Sequence, residues 1–128
     1  MTVEEFIAAE AEKPFRWGET DCCATVDRWV RHVVGFSPMS RFGRIHRDEA
    51  EAKAWLSEPG SIAVAVNRVA RSIGFMKTDC PAPGDFGLIL HDGKLCLAIH
   101  AGAYWFSRDE SGLIGAPLSA VWKAWRVS

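Results

Sequence analysis

Phe15-Arg16-Trp17-Gly18-Glu19-Thr20-Asp21-Cys22-Cys23 is the stretch whose reading decides the fold of this chain. Beyond it Cys22, Val26, Trp29, Val30 and Val33 recur at helical spacing, and Gly35 supplies a stop. Asp27, Arg28, Arg31 and His32 fall on the polar side of that pattern. The stretch therefore leads into a helix with Asp21 or Thr20 as N-cap, which places Cys22 in the first helical turn. Unpaired N–H groups and the positive end of the helix dipole favour a thiolate at that place. Cys22 reads either as a candidate nucleophile or, with Cys23, as an ordinary buried thiol, which is the commoner fate of a cysteine pair.

Towards the N-terminus, Thr2 and Glu5 have capping-box spacing, and Val3, Phe6 and Ile7 form an apolar stripe. This predicts a first helix over residues 2–12, stopped by Pro14, with Phe15 and Trp17 packing beneath the cysteine helix. Downstream, residues 36–47 read as a loop carrying Arg41, Arg44 and Arg47, a basic and solvated surface. His32 and His46 are expected at the surface. Asp48 and Glu51 repeat the capping-box spacing and open a short helix to Leu56, broken by Glu58-Pro59-Gly60. Ser61 caps a further helix with Ile62, Ala65, Val66, Val69 and Ile73 on one face and Gly74 at its end.

From Pro81 the pattern changes. Pro81-Ala82-Pro83-Gly84-Asp85 turns into a strand over Phe86–His91, and Asp92-Gly93 is a two-residue hairpin signal. A second strand is predicted over 94–101, a third over 103–107 and a further pairing over 113–116. Pro117-Leu118-Ser119 reads as a short helical turn and residues 122–127 close the chain. The expected architecture is α+β in a single domain over residues 1–128, a helical N-terminal half packed on an antiparallel sheet.

With 128 residues, 48% hydrophobic and 24% charged, the chain is long enough for one core and is globular in composition. The formal net charge of -1 advertises no nucleic-acid partner, and no apolar run is long enough to span a bilayer. Cys22, Cys23, Cys80 and Cys96 match no standard zinc or iron–sulfur spacing, and adjacent Cys22 and Cys23 are awkward to bridge. No metal, cofactor or disulfide framework is therefore expected. The acidic, amphipathic first twelve residues are unlike a signal peptide, which points to synthesis in a reducing cytoplasm.

Trp17-Gly18, then Asp21-Cys22 opening a helix, then Pro83-Gly84-Asp85 opening a strand and a hairpin, resembles the papain-like cell-wall peptidases of the NlpC type. The resemblance covers about residues 15–105. More narrowly, Phe15-x-Trp17-Gly18-x-x-Asp21-Cys22-Cys23, Gly43-Arg44 and the terminal Ala124-Trp125-Arg126-Val127 are similar to a small branch encoded in phage and prophage tail-gene clusters. It implies a papain-like fold with Cys22 as nucleophile, a histidine on a following strand as base and a polar residue on the next strand to orient it. The family strand reads His-x-Gly-Ile-x-x-Gly, and here the matching stretch is Cys96-Leu97-Ala98-Ile99-His100-Ala101-Gly102. Cys96 thus falls at the base position, where a thiol cannot replace imidazole near neutral pH. His100 shares a strand face with Cys96 about 13 Å further along. Ser107 is the polar candidate for the third position.

The resemblance implies a phage tail-tip protein with a degenerate peptidase fold, made in the bacterial cytoplasm and carried in the virion tail. Its partners would be tail-hub or tail-tip proteins, or peptidoglycan fragments. Two other functions stay open: an active cysteine hydrolase cleaving peptidoglycan peptide bonds during phage entry through Cys22 and His100, and an unrelated cytoplasmic binding module.

Overall fold

A computed structural model describes residues 1–42, 46–56 and 61–127. The helices come first: α1 (Val3–Ala11), α2 (Cys22–Val34), α3 (Pro38–Phe42), α4 (Glu49–Leu56) and α5 (Ser61–Ile73). Six strands follow: β1 (Lys77–Thr78), β2 (Phe86–His91), β3 (Lys94–His100), β4 (Trp105–Asp109), β5 (Gly112–Ala116) and β6 (Val121–Trp125). They form one antiparallel sheet in the order β1-β6-β2-β3-β4-β5, so the α+β reading holds.

Local chemistry explains most of these elements. Thr2 and Glu5 close the capping box of α1, with Glu5 N–H on Thr2 Oγ1 at 3.1 Å and Thr2 N–H on Glu5 Oε1 at 3.2 Å. Asp21 caps α2 by accepting from Ala24 N–H at 3.0 Å, and Gly35 ends it in the left-handed region at φ +88°. Asp48 accepts from Glu51 N–H at 2.9 Å at the start of α4. The Asp92-Gly93 turn has positive φ at both residues, as a type I′ hairpin requires. The α3 turn inside the expected loop, and the two-residue β1, were not anticipated. The Glu58-Pro59-Gly60 break and the Gly43-Arg44 motif lie outside the described residues.

Two cores lie on the two faces of the sheet. The larger holds Val3, Phe6 and Ile7 of α1, Cys23, Val26, Trp29 and Val30 of α2, and Val66 and Ala70 of α5, packed on Phe86, Leu88, Leu97, Ile99, Phe106 and Trp125. Val33, expected on the same stripe, is 40% exposed. The smaller core lies on the opposite face and holds Ile89, Ala98, Trp105, Ile114, Ala116 and Ala124, with Cys96 packed against it. Alternation along each strand sends odd and even positions to opposite faces. A Pro117-led 3-10 turn, Leu118–Ala120, closes the second face; the Leu118 carbonyl accepts from Trp105 Nε1 at 3.2 Å.

Buried charge fastens α1 to the rest. Glu10 is almost fully buried, and its carboxylate takes a two-point contact from Arg28 of α2, Nε to Oε1 at 2.6 Å and Nη2 to Oε2 at 2.9 Å. Arg108 of β4, also buried, donates to the carbonyls of Glu10 at 2.9 Å and Lys13 at 2.6 Å. It thereby ties to the sheet the turn that ends α1, where the Glu10 carbonyl also accepts from Lys13 N–H at 3.0 Å.

Candidate functional site

Cys22 is the first residue of α2, and its half-buried side chain packs against the larger core, which Leu97 of β3 also joins. The Cys23 thiol favours its thiolate, as do the backbone groups of Leu97 and Cys23. These outweigh burial and the nearby Asp21 charge, so Cys22 ionises below the ordinary thiol value. Cys23, the inward member of the pair, is held well above that value, first by Cys22 and then by burial.

The other expected site residues lie elsewhere. Cys96 and His100 share a face, as period two requires, but it is the face of the smaller core. The His100 ring lies edge-on to Trp105 of that core, centroids 5.1 Å apart, and its Nδ1 accepts from Gly102 N–H at 3.1 Å. Burial lowers its basicity, against the opposing field of Asp85. Burial, then the charge of Cys22, pushes Cys96 up to about 11. The Ser107 hydroxyl is buried and donates to the Leu97 carbonyl at 2.8 Å. Cys22 and His100 are therefore on opposite faces of the sheet, and the β3 residues packed in the core with Cys22 are Leu97 and Ile99, not Cys96.

Pro83-Gly84-Asp85 is a structural joint. Trp29 Nε1 donates to the Gly84 carbonyl at 2.8 Å, and Gly84 N–H and Asp85 O bond the His100 backbone at 2.9 and 2.8 Å. The Asp85 carboxylate accepts from Ala82 N–H at 2.9 Å and from Val127 N–H at 3.3 Å. The turn thus joins α2, the β2–β3 hairpin and the C-terminal segment.

His46, expected at the surface, is 5% exposed, and Nε2 lies 2.7 Å from Asp21 Oδ2. The burial comes from a partner 25 residues away, which no local pattern signals. The bond to Asp21 holds His46 above the ordinary imidazole value against its burial, and the charges of Asp21, Cys22 and Glu51 act in the same direction. Burial opposes the charge of Asp21, but His46 and the N–H groups of Ala24 and Gly18 hold its carboxyl below the usual range. Nδ1 of His46 is buried without a hydrogen-bond partner.

Trp17-Gly18-x-x-Asp21-Cys22 now has a physical account. Gly18, at φ +84°, donates its N–H to Asp21 Oδ2 at 2.6 Å. A Cβ at Gly18 would stand 2.6 Å from the Arg47 carbonyl oxygen, so only glycine lets the 46–47 backbone approach Asp21. Gly18→Ala is expected to cost about 1–2 kcal/mol from the left-handed backbone alone. It should also displace His46, seen as an imidazole titration returning towards about 6.5. A denaturant midpoint and a His46 NMR titration both unchanged from wild type would refute this account.

A groove of about 560 Å³ runs over the polar side of α2 and α3, lined by Arg31, Arg41, Phe36 and Ser37 and also by Gly18 and His46. Arg41 sits 3.7 Å above the Phe36 ring. Among the described residues no group of three or more His, Cys, Asp or Glu side chains could hold a metal ion, and no helix is long and apolar enough to cross a membrane.

No curated protein and no solved structure matches the chain. The family model of a domain of unknown function, DUF6950, matches residues 1–127, and the chain belongs to that family.

Proposed function

We propose that this chain is a phage tail-tip component with a papain-like, NlpC-type fold that binds tail proteins or peptidoglycan fragments, and whose sheet has lost the peptidase base. One observation carries the reading: the only imidazole of β3, His100, stands on the sheet face away from Cys22, and Leu97 stands on the near face. The tail assignment rests on the resemblance of Phe15-x-Trp17-Gly18-x-x-Asp21-Cys22-Cys23 and Ala124-Trp125-Arg126-Val127 to the phage branch. Arg31 and Arg41 in the groove suit the carboxylates of wall peptides.

Losing general acid–base help costs about 10²–10⁴ in rate. The isolated chain is therefore expected to release muropeptides from peptidoglycan only at background level, with Cys22→Ala and His100→Ala no different. Robust release by the wild type, abolished by either substitution, would overturn the reading and restore a hydrolase.

A second reading, an active cysteine hydrolase, is favoured by a different observation: Cys22 sits at a helix start where its thiolate is stabilised. Release abolished by Cys22→Ala but not by His100→Ala would support it.

A further inference from the structure

We propose that the apolar cavity on the inner side of α2 and the arginine-bearing groove on its polar side form one site, which takes a carboxylate carrying a short apolar side chain, the C-terminal residue of a peptide. The inference rests on the proposed function's assignment of the groove to carboxylates and adds an apolar half to it. It does not depend on the tail-tip assignment.

The cavity has a volume of about 50 Å³ and is lined by Val26 and Val30 of α2, Val66 of α5, Phe75, Phe86 and Leu97. Among the described residues, Asp27 is the only charged one in its wall. Such a void forfeits contacts that close packing would make, and an apolar one stays dry. The groove on the other side of α2 holds about 560 Å³, and Arg31 and Arg41 line it. Asp27 and Met39 line both. The two hollows therefore meet along one seam, apolar on one side and basic on the other.

Helix geometry keeps the two halves close. Val26 and Val30 lie one turn apart on α2, and so do Asp27 and Arg31, with a rise of about 5.4 Å per turn. Arg31 thus stands one turn beyond the seam. Arg41 follows Met39 by two residues in α3. The seam itself is pinned: Asp27 Oδ2 accepts from Ser37 Oγ at 2.6 Å, and Oδ1 accepts from Met39 N–H at 2.8 Å. Those bonds occupy the Asp27 carboxylate on the α3 side. Arg28 also lines the groove, but Glu10 engages it. Arg31 is exposed, and Arg41 rests on the Phe36 ring, so both present cations to a ligand. Met39 is 9% exposed, and its unbranched side chain can yield between the two hollows.

A ligand that fills both halves carries an anionic group within reach of Arg31 and Arg41 and, attached close to it, a side chain of a few carbons. A carboxylate matches the planar fork of a guanidinium. The cavity has room for a group the size of an isopropyl and not for a long acyl chain. The groove is far larger than a carboxylate needs, so the peptide that leads to the terminal residue lies along it. A free short-chain acid shares the chemistry but leaves most of the groove empty.

Titration of the full chain with acetate, butyrate, butyramide, N-acetyl-Ala-Val and the C-terminal amide of that peptide, followed by NMR, tests the site. Each buried methylene is worth about fourfold in affinity, so butyrate should bind about tenfold tighter than acetate. Butyrate should shift the methyl signals of Val26, Val30 and Val66, and acetate should leave them in place. Arg31→Gln and Arg41→Gln should each weaken acetate and butyrate alike, by about tenfold. N-acetyl-Ala-Val should bind more tightly than butyrate, and its amide should not bind; butyrate binding more tightly than the peptide would overturn the peptide terminus as the occupant. Val66→Ile, which puts a methylene into the cavity, should abolish the advantage of butyrate and spare acetate. The methyl shifts are read in the wild type and decide the matter even if that variant does not fold. Equal affinities for acetate and butyrate, with shifts at Arg31 and Arg41 alone, would overturn the inference and leave the carboxylate groove standing. Identical responses to butyrate and butyramide would overturn the groove reading as well.

Discussion

Asp21→Ala is expected to cost about 3–5 kcal/mol of folding stability, because it leaves a buried partner charge uncompensated. One carboxylate serves three groups. Oδ1 accepts from Ala24 N–H at 3.0 Å, and Oδ2 meets Gly18 N–H at 2.6 Å and His46 Nε2 at 2.7 Å. Loss of the cap alone is worth about 1 kcal/mol. The rest comes from His46, buried and stripped of its Asp21 partner, and from the Gly18 turn. Asp21→Asn keeps a cap acceptor and should cost about half as much. A urea-derived stability of Asp21→Ala within about 1 kcal/mol of wild type would contradict the whole seat, since surface substitutions fall in that range.

The same pair gives a pH signature. The Asp21 carboxyl is held low, so its contribution is present above the unfolded value of about 3.9 and is lost as pH falls through the lower native value. His46 is held high, so its contribution is complete below about 6.5 and is lost as pH rises through the higher native value. The pair therefore stabilises most between about pH 4 and 6.5. In Asp21→Ala the loss of stability on the alkaline side should disappear, because His46 no longer has a carboxylate to hold it charged.

Trp105→Ala should be about as damaging, about 3–5 kcal/mol. Trp105 is fully buried at the centre of the smaller core, and its ring packs over Gly87, where an added Cβ would lie 3.0 Å from it. It also holds the Leu118 carbonyl and the edge of His100. Among the described residues the rest of the smaller core is Ile89, Ile114 and alanines, so the cavity cannot be refilled by small shifts of Ala98, Ala116 and Ala124. A melting temperature lowered by roughly 10–20 °C is expected. A drop of about 2 °C or less would mean that the second face is not a true core.

Local signals were legible in the sequence and long-range ones were not. Thr2 with Glu5, Asp48 with Glu51, Gly35 and Asp92-Gly93 each act within a few residues, and each stands where its chemistry placed it. β3 was harder. Leu95, Cys96, Leu97, Ala98 and Ile99 are all apolar, so no polar alternation marks which residues face the helices. A one-residue difference in that reading exchanges Cys96 for Leu97 beneath Cys22. β1 is two residues long and is defined only by its pairing to β6. His46 was illegible for the same reason: its burial depends on Asp21, on Gly18 and on a loop whose composition suggests solvent.

The Arg108 contact has a bearing on how the chain is made. The guanidinium closes the C-terminal end of α1 from 95 and 98 residues further along. During synthesis from the N-terminus, α1 and α2 leave the ribosome well before β4 exists. Until then the Glu10 and Lys13 carbonyls lack their contact with Arg108, and Phe6 and Ile7 have no Phe106 beneath them. Entropy of closing so long a loop must be met late, so the docking of β4 under the first helix, which Glu10 already joins to Arg28 of α2, is a late event of folding. A nascent chain stalled short of Arg108 would expose that apolar stripe, the kind of species that chaperones bind and that aggregates when they do not.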